Sequence, residues 1–211
     1  SVLMGIESLA LDAEGEYGIV ADALGGINVT ISPNSNTIIN LFDLEPETVK
    51  DEITGRERIV LNVENKVEDV TQALLTMARG STRSEEVNEL TKQIIAEAVS
   101  EEYAAAKINS DPSSLYDSAA NMATGNMLAR KKKLMPTIGS WYKRILRKAA
   151  ENDNSDYKFH YSYLLKVMKQ YIREYEGQMA YFDGQSTFDL LDGAPFINLD
   201  ISQLEERFAR P

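Results

Sequence analysis

Strand-type sequence stands near both ends of this 211-residue chain, and helical patterning fills more than half of the length between them. Few folds accept that order. Residues 6–11 form a short, mostly apolar run that reads as a buried strand, and the acidic stretch Asp12-Ala-Glu-Gly-Glu16 follows it. Residues 16–24 carry Tyr17, Val20, Ala21 and Leu24 at helical spacing, with Gly25-Gly26 placed to end the helix. Residues 27–31 alternate apolar and polar, which predicts a half-buried strand, and the turn-forming run Ser32-Pro-Asn-Ser-Asn36 comes next. Strand, helix and strand with short links predict a parallel βαβ unit. Ligands of such sheets bind beyond the carboxyl ends of the strands, where Asp12 falls.

Residues 46–62 read as a charged connection, and helical patterning then runs from 65 to 175. Asn65 with Glu68, and Thr82 with Glu85, have capping-box spacing ahead of two apolar faces, Val67-Val70-Leu74-Ala78 and Val87-Leu90-Ile94-Ala98. Asp111-Pro112 is placed to stop the second helix. A weaker helical stretch covers 115–128, and Pro136 suits the first turn of a helix carrying Ile138, Trp141, Tyr142, Ile145 and Leu146. Residues 157–175 predict one more helix, with Leu164, Met168, Tyr171 and Tyr175 on one stripe and Gly177 at its end. β character returns at 187–190 and 196–200 around Asp192-Gly193-Ala-Pro195, which predicts a hairpin, and 201–208 reads as a final helix.

The fold class expected is therefore α/β but predominantly helical: a partial sheet contributed by 1–44 and 181–211, with a large all-α subdomain over 45–180 inserted into it. Composition narrows the chemistry. The chain has no Cys and one His, which excludes disulfides, a thiol nucleophile, Cys-ligated zinc and any multi-His metal site. No run of about 18 uncharged apolar residues is present, so no transmembrane helix is expected. The chain starts at Ser1 and ends at Pro211 in mid-pattern, which suggests a piece of a longer protein.

The net charge of −11 hides a segregation. Residues 1–49 hold eight acids and no base, and residues 118–150 hold eight bases and no acid. Blocks of this kind say more about partners than the total does.

Three groups of residues could carry chemistry. Asp12, Glu14 and Glu16 at a strand end could hold a metal, polarise a water or act as a general base. The same acids could serve only to favour a helix N-terminus. Arg130, Lys131, Lys132 and Lys133, with Lys143, Arg144, Arg147 and Lys148, bracket Trp141 and Tyr142. Such a strip could bind an acidic partner or DNA, or be a solvated helix face whose aromatics point into the core. Phe182-Asp-Gly-Gln-Ser-Thr187 could approach a phosphate or simply turn the chain into a strand. His160 and the tyrosines around it read as structural. No Gly-x-x-x-x-Gly-Lys-Ser/Thr and no Gly-x-Gly-x-x-Gly occurs anywhere, so no phosphate-cradling P-loop is encoded.

The run Leu9-Ala-Leu-Asp-Ala-Glu-Gly-Glu-Tyr17, the pair Gly25-Gly26, Ile31-Ser-Pro-Asn-Ser35 and Ile39-Asn-Leu-Phe-Asp43 together resemble the conjugative-transfer ATPases. These are the VirB-type ATPases of type IV secretion, in the FtsK/HerA branch of P-loop NTPases. Leu134-Met-Pro-Thr137, Phe182-Asp-Gly-Gln-Ser-Thr187 and Ile197-Asn-Leu-Asp-Ile-Ser202 continue the likeness in order, so that it spans nearly the whole chain. Ala13 and Leu41 depart from it, both standing where the family often has Pro.

The resemblance implies an internal fragment of an NTPase core with its helical insertion, without Walker A and Walker B. It implies ATP and Mg²⁺ as cofactors of the intact parent, with Asp12 beside the nucleotide, Glu14 and Glu16 adjacent to it, and Gln185 a further candidate contact. It also implies self-association as a hexamer, other secretion-channel subunits as partners, DNA as a possible one, and a cytoplasmic place at the inner membrane face. Phosphoryl transfer rests on the P-loop, its Lys and Mg²⁺, so the fragment alone is expected to be inactive. Two other readings stand beside this one. One is a free-standing helical module that binds an acidic partner or DNA; the other is a carboxylate-based metal hydrolase on Asp12, Glu14 and Glu16.

Overall fold

The computed structural model describes residues 8–12, 16–23, 25–30, 37–50, 54–79, 87–117, 131–187 and 196–200. Three short strands form one parallel sheet: β1 (Ser8–Asp12), β2 (Ile27–Thr30) and β5 (Phe196–Asp200), in the order β1-β5-β2. The helix α1 (Gly18–Ala23) carries the chain from β1 to β2. That crossover skips one strand position, and β5, more than 160 residues later, fills it. Leu11 pairs with Leu199, and Val29 pairs with Leu199 from the other side.

Both hydrogen-bonding edges of β5 are therefore occupied. The first strand and the turn of the expected hairpin between 187–190 and 196–200 lie almost wholly outside the described residues; its second strand, β5, pairs in parallel with β1 and β2. Asp-Gly signals a turn but does not select which strand lies beside which. The expected helices at 115–128 and 201–208 fall mainly or wholly outside the described residues; Pro112–Leu115 is a single 3-10 turn.

Between β2 and β5 the chain builds a helical body. It opens with an antiparallel pair, β3 (Glu47–Lys50) and β4 (Glu57–Val60), where the sequence reads only as a charged connection. Its strands bury almost nothing, so they carry no hydrophobic alternation to betray them. Among the described residues four helices follow: α2 (Val63–Arg79), α3 (Glu89–Ala105), α4 (Ile138–Glu151) and α5 (Ser155–Met168). They pack as α2 on α3, α4 on α5 and α3 on α4, with further α2–α5 and α3–α5 contacts. Trp141, Leu74, Ile94, Ile95, Ile138, Ile145, Leu164 and Met168 are fully buried between them. Each such aliphatic side chain contributes about 1.5–3 kcal/mol by leaving water.

Helix starts are set by side chains other than those the spacing predicts. Asn62, not Asn65, caps α2: its Oδ1 accepts from the Asn65 N–H at 3.3 Å. Glu68 pairs instead with Gln72 and Lys92 on the exposed face. Asn88 caps α3 in a capping box with Thr91; Thr82 and Glu85 lie outside the described residues. Thr137 and Ser140 form the capping box of α4, so Pro136 precedes the cap rather than sitting in the first turn. Helix α3 ends at Ala105, before Asp111-Pro112, which begins the 3-10 turn instead. The stretch expected as one helix over 157–175 is α5 followed by two 3-10 turns, Lys169–Tyr171 and Arg173–Tyr175, broken at Ile172. Their tighter winding turns Tyr171 and Ile172 into the core and leaves Tyr175 at the rim.

Candidate functional site

The carboxyl ends of all three parallel strands lie together. The register makes Asp12 of β1 and Asp200 of β5 direct Cα partners, and Thr30 of β2 is the partner of Asp200 on its other side. Two aspartates and a threonine thus end three neighbouring strands in a row. This is where parallel sheets place their ligands. The sequence contains a signal for the pair: Ala10-Leu-Asp12 and Asn198-Leu-Asp200 close their strands with the same Leu-Asp step. Asp200 is the residue that sequence reasoning missed, because nothing local shows that a segment so distant in the chain enters the sheet between the other two strands.

Of the three acids expected to act together, Asp12 ends β1, Glu14 lies outside the described residues, and Glu16 is exposed ahead of α1. Among the described residues, no three metal-ligating side chains gather into a cluster. Oxygen donors of the kind that end these strands suit Mg²⁺. A cradle for phosphates is a different requirement, and no Gly-rich loop with its Lys is encoded. By residue type alone the strand ends carry oxygen donors that Mg²⁺ could use, and the sequence encodes no phosphate cradle.

The segment 182–187 joins the helical body to the chain leaving the sheet. Asp183 is buried and accepts from the Gly139 N–H at the start of α4 and from the Arg173 N–H, both at 2.8 Å. The Gln185 side chain is matched in both directions to Met135: its Oε1 accepts from the Met135 N–H at 3.0 Å and its Nε2 donates to the Met135 carbonyl at 2.7 Å. Ser186 Oγ accepts from the Asn40 N–H at 2.8 Å, and Thr187 exchanges two hydrogen bonds with Ile38. Asn40 is itself buried and donates from Nδ2 to the Pro136 carbonyl at 2.8 Å. The two crossings between sheet and helical body, 37–40 and 183–187, are therefore stitched to each other and to the entrance of α4. The Gln185 amide expected at a nucleotide is engaged in this clasp.

The basic strip is dispersed among ion pairs. Lys132 pairs with Glu45, Lys143 with Glu174, and Lys148 with both Glu97 and Glu101. Arg144 Nε donates to the buried Glu102 at 2.6 Å and its Nη1 lies 3.4 Å from Glu101. Lys133 donates to the carbonyls of Ala106 and Lys107 at the end of α3, each at 3.2 Å, where a cation offsets the negative end of the helix dipole. Lys131 and Arg147 are exposed and form no ion pair among the described residues; Arg130 lies outside them. Trp141 and Tyr142 point into the core, so they interleave nothing with the charges. His160 is buried, its Nδ1 2.9 Å from Thr91 Oγ1, and ties α5 to the cap of α3.

Near the α2 start lies a cavity of about 480 Å³ lined by Asp43, Glu45, Glu47, Asn62, Lys66 and Asp69, among others. Burial pulls the Lys66 ammonium below the usual lysine range, against the opposing pull of Asp69 and Asp43.

No protein-family model matches the chain, and no curated protein matches it in sequence. In fold, the chain is similar to the solved structure of VirB4 of Thermoanaerobacter pseudethanolicus, with a TM-score of 0.60 and 19% identity. The match covers 97% of this chain and 63% of that one, so this chain spans less than two thirds of that protein's length. At this identity the likeness establishes the fold: a partial α/β sheet carrying a helical subdomain.

Proposed function

We propose that this chain is part of the NTPase core, with its helical insertion, of an ATPase that serves conjugation or type IV secretion. The observation that carries this reading is the parallel sheet of β1, β5 and β2, which ends in Asp12, Asp200 and Thr30 and holds the whole helical body between its second and last strands. The likeness to VirB4 supports it at the level of fold. In the intact protein, ATP with Mg²⁺ would bind against this strand edge, the metal supplying charge stabilisation for phosphoryl transfer. Asp12 and Asp200 would hold or orient the metal's water shell, and Glu14 and Glu16, close to Asp12 in sequence, would add to the local charge. The P-loop, its Lys and the Walker B acids would come from sequence outside these 211 residues.

On this reading 1–44 and 181–211 belong to the core and 45–180 is the inserted subdomain, with the clasp at 183–187 setting its position. The whole ATPase would assemble with copies of itself and with other channel subunits at the cytoplasmic membrane face. Among the described residues, no helix is long and apolar enough to cross a membrane. The test is ATP turnover by the 211-residue chain with Mg²⁺ present. Background turnover is expected; turnover abolished by Asp12→Ala would refute the division of labour proposed here.

The basic strip carries less of a second reading. Four of its residues, Lys132, Lys143, Arg144 and Lys148, are paired with acids within the fold and Lys133 is held by backbone carbonyls, which leaves Lys131 and Arg147 as the described residues with charge to offer a partner.

A further inference from the structure

The strands β3 and β4 form a sheet of two, and among the described residues no third strand joins them. All four residues of β3 are exposed, as are three of the four in β4. Val49 and Ile59 are 38% and 63% exposed. A lone two-stranded pair is marginally stable in water, and a third strand or a packed layer is what it lacks. The two edges differ. At the foot of β4 the Leu61 N–H donates to the Ser110 carbonyl at 3.4 Å, so the helical body takes that side. Among the described residues, no strand or backbone hydrogen bond occupies the outer edge of β3.

The foot of β3 opens on the cavity near the α2 start. Glu47 is the first residue of β3 and also lines that cavity, with Asp43, Glu45, Asn62, Lys66 and Asp69. At about 480 Å³ the cavity has room for one long side chain. Side chains two apart in a strand share a face, so Val49 stands on the same side of β3 as Glu47. Four acids line the cavity against Lys66, and Lys132, which is not part of the lining, pairs with Glu45. Four acids against two cations leave the cavity negative.

We infer that the β3 edge receives an extended peptide segment of another protein, which adds as a third, antiparallel strand and places an arginine or lysine in the acidic cavity. In strand addition, backbone hydrogen bonds along the edge supply affinity and a pocket selects the side chain. Antiparallel pairing is the more stable per residue. β3 starts at the cavity and runs away from it, so an antiparallel guest runs towards it and carries its basic residue at its C-terminal end. Thr48 and Val49 are β-branched, and like residues of the guest would lie against them. A nucleic-acid strand is disfavoured here, because its phosphates would face the same acids. Neither the edge nor the cavity includes Asp12, Asp200 or Thr30, so the turnover measurement does not bear on this site.

Fluorescence anisotropy with the whole chain tests it. The probe is the peptide Thr-Val-Thr-Val-Thr-Val-Arg, blocked at both ends and labelled with fluorescein at the first residue. It should bind saturably. Replacing its Arg by Glu should weaken binding about tenfold or more, the scale of one charge-assisted contact. Replacing its central Val by Pro should weaken it as much, since proline cannot donate to a strand ladder. Asp69→Lys, at an exposed position of α2, should weaken the Arg peptide more than the Glu peptide. Amide hydrogen exchange should slow across 47–50 when the peptide is bound. Far-ultraviolet dichroism checks the fold, and Glu47→Lys replaces Asp69→Lys if that chain is not folded. A chain that does not bind the Arg peptide, equal binding of the Pro peptide, or exchange across 47–50 unchanged at saturation would overturn the inference.

Discussion

Asp183 accepts the Gly139 N–H at 2.8 Å, and a Cβ placed on Gly139 would stand 2.7 Å from the same carboxylate oxygen. Carboxylate and glycine therefore define each other: the helix starts where Asp183 can reach its backbone, and only glycine lets it reach. Asp183→Ala removes the acceptor of two backbone N–H groups in a buried place. Hydrogen bonds to a charged group are worth about 1.5–3 kcal/mol each. A loss of about 3 kcal/mol is expected, seen as a lower urea midpoint at unchanged slope. Gly139→Ala should cost about 1–3 kcal/mol by crowding alone. Adding it to Asp183→Ala should cost less than it does in the wild type, because the clash partner is gone.

The ion pairs between α3 and α4 differ in what their loss costs. Glu102 is buried and Arg144 nearly so, and breaking a buried pair costs about 3–5 kcal/mol. Glu102→Ala should fall at the low end, since Glu101 still faces Arg144. Replacing both partners, Glu102→Leu with Arg144→Met, should recover most of that loss in thermal melts, because no charge is then stranded.

Acid should weaken the same junction. Burial works to raise the Glu101 carboxyl, but Lys148 and Arg144 outweigh it and hold it below the ordinary glutamate value. A native carboxyl with a depressed pKa stabilises the fold above the unfolded value, about 4.3 for Glu, and that contribution disappears as pH falls through the lower native value. Urea midpoints taken from pH 7 to pH 3 should therefore drop less steeply in Glu101→Gln than in the wild type, with the two curves converging at the acid end.

The strand order makes a covalent prediction, and a chain without cysteine gives it no background. Neighbouring strands lie about 4.8 Å apart, within the Cα range of a disulfide, whereas strands two apart lie near 10 Å, beyond it. Asp12→Cys with Asp200→Cys should oxidise to an intramolecular crosslink. Asp12→Cys with Thr30→Cys should not, because β5 lies between them. Mobility on non-reducing gels distinguishes the two.

The α/β class, the long helices and the βαβ start were legible because each rests on periodicity over several residues. Trp141 and Ile145 follow Ile138 at helical spacing and all three are fully buried. Local signals failed where a distant partner decides the outcome. Nothing near residues 196–200 shows that β5 pairs on both edges with strands from the start of the chain. The pair β3 and β4 escaped notice because it is exposed on both faces and shows no alternation. In sequence the clasp resembles a loop that could approach phosphate, since Asp, Gln, Ser and Thr serve equally well to hold backbone groups. Only the positions of Gly139, Met135, Asn40 and Ile38 reveal that use. The ion pairing of the basic strip was hidden in a similar way, because its counter-charges Glu97, Glu101 and Glu102 lie on a helix far earlier in the chain.

The most direct test of the sheet-edge account is the kcat of the full-length ATPase to which this chain is proposed to belong, measured with Asp12→Ala and with Asp200→Ala. Removing one group that stabilises the transition state typically lowers kcat about 100- to 1,000-fold. The account predicts a loss of that order for Asp12→Ala, a smaller loss for Asp200→Ala, and nucleotide affinity largely retained in both. A kcat unchanged by Asp12→Ala, in a folded protein that binds ATP, would contradict it.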